Sequence, residues 1–239
     1  MKARLDQRLV EQGLVPTRSQ GESYIKLGKV TVDGKVVTKP GTAVDERAAV
    51  KLTATEQYVS RAGLKLASVA QLLYLPFEGK TVLDVGSSTG GFTDYALQHG
   101  AKKVIAVELG TNQLHPSLHG NPKIELHEKT DIRSLKTDEV IDIVVADVSF
   151  VSLRELLPSI AKLANPETRI AVMVKPQFEA RESGQKHKGV IKNDKIRRQI
   201  LKDFEDWALG SFRITNKADS EVAGAKGNRE RFYLLKTLK

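Results

Sequence analysis

The stretch Thr81-Val82-Leu83-Asp84-Val85-Gly86-Ser87-Ser88-Thr89-Gly90-Gly91-Phe92 holds residue types that could seat a ligand, because an apolar run carrying an acid breaks into a glycine-rich turn. Val82, Leu83 and Val85 favour a strand. Gly86, Gly90 and Gly91 supply backbone without Cβ where the chain turns sharply or a ligand comes close. In a doubly wound α/β sheet such a turn lies at the carboxyl edge of a strand, where ligands collect at the topological switch point. The spacing excludes two nucleotide templates. G-x-G-x-x-G and G-x-x-x-x-G-K-[ST] both fail, since Ser87-Ser88-Thr89 separate Gly86 from Gly90-Gly91 and no Lys follows. The same pattern also fits an ordinary glycine-rich turn between a strand and a helix.

D-V-G-x-x-x-G-G resembles the S-adenosylmethionine motif of Rossmann-like methyltransferases, whose cofactor has an amino-acid tail and no pyrophosphate, so an acid such as Asp84 is tolerable. Ser88, Thr89 and Phe92 belong to the same turn. Further strands are expected over 104–108, 124–127, 141–147 and 169–175, and several finish in a charged residue: Glu108, Asp147 and Lys175. Buried strands with charge at the carboxyl edge suit a parallel sheet with a ligand crevice. Glu108 lies 22 residues after Gly86, near the separation at which an acid meets ribose hydroxyls in nucleotide folds. Asp131 and Ile132 are placed to flank an adenine, with Asp131 accepting from its amino group; a helix-capping acid is an equal reading of Asp131.

The elements that position these residues follow from periodicity. Ser60 can cap a helix running to about Leu73, with Leu64, Ala67 and Leu72 inward and Lys65 in its first turns, where the helix dipole gives a cation no reason to sit. Helical spacing recurs over 152–163 and 193–209. Upstream, residues 1–52 read as a separate α+β unit. It comprises a short helix around Leu5 and Leu9, a second helix opened by the Thr17/Gln20 capping box, and a hairpin turning at Asp33-Gly34. The polar stretch 53–57 reads as a linker, and 58–239 as the larger α/β domain.

Composition narrows the partners. In 239 residues, 38 Lys and Arg face 29 Asp and Glu, a net charge of +9 with a pI near 9.6. Such a surface suits polyanions, nucleic acid above all, or an anionic membrane face. Basic density peaks in residues 1–52, with ten Lys and Arg against six acids. No apolar run is long enough to span a bilayer and the N-terminus lacks the apolar core of a signal peptide, so a cytoplasmic address is expected. There is no Cys, which excludes disulfides, thiolate metal sites and a thiol nucleophile. His115 and His119 flank Pro116 without a third ligand, so no metal is expected.

Arg4-Leu-Asp, Thr17-Arg-Ser and the run from Tyr24 to Lys35 resemble the alpha-L RNA-binding motif of a small-subunit ribosomal protein and of pseudouridine synthases. The resemblance implies phosphate contacts from Arg4, Arg8, Arg18, Lys26, Lys29 and Lys39, although each is also readable as a solvated surface charge. Arg61, and Lys186 and Lys188 in the basic stretch 177–190, are added as candidate RNA contacts. That stretch reads equally as a lid over RNA or as a long solvated loop.

Nearly the whole chain is similar to the TlyA branch of the FtsJ-like ribose 2′-O-methyltransferases. The similarity rests on the N-terminal motif, Tyr58 to Lys65, Asp84 to Phe92, Ala146 to Ser152, Val174 to Phe178 and Gly227 to Glu230. It implies a Rossmann-like class I methyltransferase domain using S-adenosyl-L-methionine, ribosomal RNA or a ribosomal subunit as partner, and cytidine as target. It also implies a Lys-Asp-Lys-Glu catalytic tetrad at Lys65, Asp147, Lys175 and Glu230, with Glu221 in the same loop. Glu108, where the family usually has Asp, and Ser87, often Ala, depart from the pattern.

Elimination agrees with oxygen or nitrogen as acceptor. A pyrimidine C5 methyltransferase needs a covalent Cys. An amino-directed one typically carries Asn/Asp-Pro-Pro-aromatic, where this chain has Asp147-Val148-Ser149-Phe150. Within the tetrad, Lys175 could take the hydroxyl proton or, as a cation, stabilise the alkoxide. Two other classes stay open. One is a non-catalytic RNA-binding assembly factor on the same fold. The other is a membrane-lytic protein, since relatives have been called haemolysins, and the absence of a spanning segment weighs against it.

Overall fold

The structure, a computed structural model, describes residues 2–185, 189–224 and 226–238. The chain opens with β1 (Lys2–Arg4), α1 (Leu5–Glu11), α2 (Arg18–Lys26), β2 (Val30–Val32), β3 (Lys35–Val36), β4 (Ala43–Asp45) and β5 (Val50–Leu52). The Thr17 capping box forms: Thr17 Oγ1 accepts from Gln20 N at 3.2 Å and donates to Gln20 Oε1 at 2.8 Å. Asp33 and Gly34, with φ of 49° and 79°, make the hairpin turn that joins β2 to β3. β2 is central in a three-stranded sheet with β3 and β5, and β1 pairs antiparallel with β4. Strands of two or three residues are too short to show an alternating pattern, so β1, β4 and β5 were not legible beforehand.

The rest is a doubly wound α/β fold. After α3 (Arg61–Ala70) come β6 (Thr81–Val85), α4 (Gly91–Gln98), β7 (Lys103–Val107), β8 (Ile124–His127), β9 (Ile143–Ala146), α5 (Leu153–Leu163), β10 (Arg169–Val174), α6 (Pro176–Glu179), α7 (Asp194–Ala208), β11 (Phe212–Asp219) and β12 (Arg231–Thr237). They form a seven-stranded sheet ordered β11-β12-β10-β9-β6-β7-β8. From β10 to β8 all pairings are parallel, while β12 runs antiparallel to both β10 and β11. Strand order reverses between β6 and β9, which puts the crevice at the carboxyl ends of those two strands.

Side-chain alternation along the strands feeds both faces. Val82, Ile143 and Met173 pack against α3 and α4, whereas Leu83, Val144 and Val172 pack beneath α5 and α7. The first face is continuous with the N-terminal unit, because Leu5, Leu9 and Ile25 belong to the same apolar cluster as Leu66 and Phe92. Polar contacts reinforce the junction. Gln20 Nε2 donates to the Tyr58 carbonyl at 2.9 Å, and Tyr24 Oη to the Glu56 carbonyl at 3.3 Å. One detail of the expected α3 is corrected: the helix stops at Ala70, which leaves Leu72 exposed and puts Leu73 in the core. Among the described residues, no helix is long and apolar enough to cross a membrane.

Candidate active site

The glycine turn takes the shape its residues allow. Gly86 and Gly90 have φ of +77° and +86°, which an L side chain rarely adopts. Space is also lacking: a Cβ at Gly86 would lie 3.1 Å from the Asp147 carbonyl, and one at Gly90 2.6 Å from Leu118 Cδ1. Gly91 also gives room to the start of α3, since a Cβ there would run into Ser60 and Ala62.

Beyond the turn, a cavity of about 610 Å³ runs from Gly86 and Ser88 past Glu108, Asp131 and Ile132 to Asp147 and Phe150. Glu108 organises its rim: Oε2 accepts from Ser88 N at 2.9 Å and Oε1 from Gly110 N at 2.8 Å. Asp131 is gripped by Arg133, with Nη2 2.6 Å from Oδ2, and these hydrogen bonds hold its carboxyl below the usual range. Ile132 is a buried apolar wall. The cavity thus joins an apolar wall to a few polar groups, the make-up of a site for a small organic ligand.

A second cavity of about 140 Å³ joins Asp84, Ser87, Thr89 and Phe92 to Asp147, Ser149 and Lys175. Asp84 is 1 % exposed, and burial pushes its carboxyl up to about 7. Oδ2 accepts from Thr93 Oγ1 at 2.7 Å, but among the described residues Oδ1 has no hydrogen-bond partner, nor has the buried Ser87 hydroxyl. A buried carboxylate oxygen without a donor favours a cationic or N–H-bearing ligand beside it.

The tetrad residues converge at the same edge of the sheet. Lys175, directly after β10, puts Nζ 2.5 Å from Asp147 Oδ1, directly after β9. Lys65 Nζ, from α3, lies 2.6 Å from Glu230 Oε2, directly before β12. The two pairs feel one another: burial pushes the Glu230 carboxyl up, Lys65 opposes this, and Asp147 and Lys175 act on it from further away. Lys65 is buried rather than solvent-facing, and Glu221 is exposed, so the loop delivers Glu230 to the site.

Candidate RNA contacts divide. Arg4 and Arg18 are about half exposed, and both grip the fully buried Asp6 at 2.8 Å. Burial would raise the Asp6 carboxyl, but the hydrogen bonds from the two guanidinium groups outweigh it and hold it low. Lys26, Lys29 and Lys39 are exposed, while Arg8 is mostly covered and paired with Glu11 at 3.0 Å. Arg61 does not present a free guanidinium. It donates to Ser19 Oγ at 2.7 Å and to the Ala223 carbonyl, bracing the N-terminal unit, α3 and the loop that carries Glu230. Lys186 and Lys188 lie outside the described residues. His115 meets the Ser117 hydroxyl and His119 the Leu114 carbonyl. No group of three or more metal-ligating side chains occurs among the described residues.

Sequence reasoning missed Ser149, Phe150 and Phe178. Phe150 is 92 % exposed with φ of +68°, and its ring lies 5.3 Å from that of Phe178, which in turn faces the Lys175 amine at 5.8 Å. An exposed aromatic held in a left-handed backbone against Phe178, the ring next to the Lys175 amine, is a signal only the structure makes visible.

Comparison with known proteins gives two family matches. Residues 58–237 match the FtsJ-like methyltransferase family and residues 3–50 match the S4 domain. The chain is 35% identical over 243 residues to the 16S/23S rRNA (cytidine-2′-O)-methyltransferase TlyA of Mycobacterium tuberculosis, covering 99% of this chain and 90% of that one. It is 42% identical over 181 residues to the 23S rRNA (cytidine-2′-O)-methyltransferase TlyA of Campylobacter jejuni, covering 75% and 71%. A solved structure described as a hemolysin from Streptococcus thermophilus superposes with a TM-score of 0.71 at 34% identity, covering 99% of this chain and 88% of that one.

Proposed function

Because the chain belongs to the FtsJ-like methyltransferase family, we propose that it methylates the ribose 2′-hydroxyl of a cytidine in ribosomal RNA, using S-adenosylmethionine. The observation that carries this reading is the Lys175–Asp147 pair, whose Asp147 lines both cavities, within reach of the charge of the Lys65–Glu230 pair. Glu108, Asp131 and Ile132 fit a nucleoside, and the unpartnered Asp84 Oδ1 fits an ammonium-bearing tail, so the cofactor matches the residues present. When bound, it would supply a methyl carbon on a sulfonium, with the C–S bonding pair retained by sulfur as a neutral thioether.

A ribose hydroxyl is a poor nucleophile until it loses its proton. Entering the step as the neutral amine, Lys175 takes that proton on Nζ as the oxygen bonds to carbon, and the resulting ammonium faces Asp147. Lys65 holds positive charge near the developing alkoxide, and Glu230 fixes its position. The basic N-terminal unit supports RNA as partner through Arg4, Arg18, Lys26, Lys29 and Lys39, and exposed Phe150 offers a face on which a base can stack. The domain division at 52 and 58 belongs to the same proposal: an RNA-gripping unit in front of a methyl-transferring one.

The test is transfer of labelled methyl from S-adenosylmethionine to ribosomal subunits, followed by nucleoside mass spectrometry. The expected product is 2′-O-methylcytidine, lost in Lys175→Ala with cofactor and RNA binding retained. Turnover by Lys175→Ala at the wild-type rate would defeat the assignment.

A further inference from the structure

Ser149 has no role in the tetrad, yet it touches the amine on which the proposed reaction depends. Lys175 Nζ donates to Ser149 Oγ at 2.8 Å. Asp147 Oδ1 comes closer, at 2.5 Å, but stands off the hydrogen-bond direction and is left without a hydrogen-bond partner. The carboxylate therefore supplies charge and the serine supplies direction. A terminal amine rotates freely about its last C–N bond unless an aligned acceptor stops it.

We propose that Ser149 is a positioning residue for methyl transfer, one that fixes the rotation of the Lys175 amine so that its remaining valence faces the substrate hydroxyl. The proposal rests on the reading of Lys175 given above. In the neutral amine, one N–H is spent on Ser149, and the negative charge of Asp147 turns the lone pair away from itself, toward the remaining direction. After the proton arrives, the same two partners hold the ammonium. Ser149 lines both the nucleoside-sized cavity and the smaller one behind it, as Asp147 also does, so the amine is set where methyl donor and ribose would meet.

The surroundings leave few competitors for this role. Asp147 follows β9, the Phe178 ring of α6 lies 5.8 Å from the amine, Asp84 of β6 lines the smaller cavity, and the Lys65–Glu230 pair of α3 and the β12 edge acts on the site by charge. Asp147, Asp84, Lys65 and Glu230 are the titratable groups around the amine, and none of them is an aligned acceptor for it.

The experiment compares wild type, Ser149→Ala and Ser149→Thr on ribosomal subunits at saturating S-adenosylmethionine. It also follows the Lys175 side-chain nitrogen by NMR in labelled protein without RNA. For Ser149→Ala the expectation is about a tenfold fall in kcat, with KM for RNA and cofactor Kd within about twofold. The order parameter of the Lys175 side-chain nitrogen should fall in the same variant, because nothing aligned then stops the amine's rotation, and Ser149→Thr should restore both readouts. An unchanged order parameter, or wild-type kcat in Ser149→Ala, overturns the proposal. A wild-type protein that transfers no methyl while the order of its Lys175 nitrogen still responds to Ser149 overturns the activity instead.

Discussion

Lys65 Nζ and Glu230 Oε2 lie 2.6 Å apart, although one belongs to the first helix of the large domain and the other to the edge of its last strand. The contact exists because β12 inserts antiparallel between β10 and β11, which carries the residue before it to the carboxyl end of β10. Both side chains are buried, so each satisfies a charge that the other would otherwise leave unpaired.

Glu230→Gln is accordingly expected to lower stability by about 3 kcal/mol, the usual cost of breaking a buried pair from one side, and to reduce turnover at least a hundredfold. Glu221→Gln, at an exposed position in the same loop, should change neither. Denaturant unfolding and single-turnover methyl transfer read the two effects.

Asp84 gives a pH dependence of definite sign. Its folded carboxyl sits at about 7, above the ordinary 3.8, so the folded state holds the proton more tightly than the unfolded chain. Stability contributed by that proton is present below about pH 4 and is lost as pH rises through 7. Asp84→Asn should match wild type near pH 4 and exceed it by up to a few kcal/mol near pH 8, without cofactor. A stability difference that stays flat with pH, in thermal or urea unfolding, would contradict this.

Gly86→Ala places a methyl group 3.1 Å from the Asp147 carbonyl and 3.2 Å from Val148 Cγ1, at a φ that strains any L residue. The expected cost is about 1–2 kcal/mol of stability together with at least tenfold weaker binding of S-adenosylmethionine. Calorimetry and thermal unfolding measure both, and intact cofactor affinity would argue that the turn does not meet the ligand.

Arg4 and Arg18 are held side by side by one buried acid, Asp6. Replacing either with Gln should weaken RNA binding and reduce the slope of log K against log salt by about one. Point variants suit this better than deletion, because the N-terminal unit shares an apolar cluster with α3 and α4. Equal slopes in filter binding at several salt concentrations would remove those arginines from the interface.

The sequence by itself determined the local chemistry. The Asp84–Phe92 turn, the charged ends of β7, β9 and β10, the Thr17 capping box and the Asp33-Gly34 hairpin were legible because each depends on residues close together in the chain. β11 and β12 carried no such signal, and the choice between Glu230 and Glu221 could not be made without knowing where β12 pairs. Arg61 looked like a phosphate contact and became a brace, because Ser19 and Ala223 meet it only after the two units dock. Ser149 and Phe150 belonged to a recognisable stretch but had no role of their own until the tertiary fold set Lys175 beside one and Phe178 beside the other. Local propensity follows from bonds within a few residues, whereas the partner of a buried charge is set by long-range strand pairing, and only the folded chain decides that.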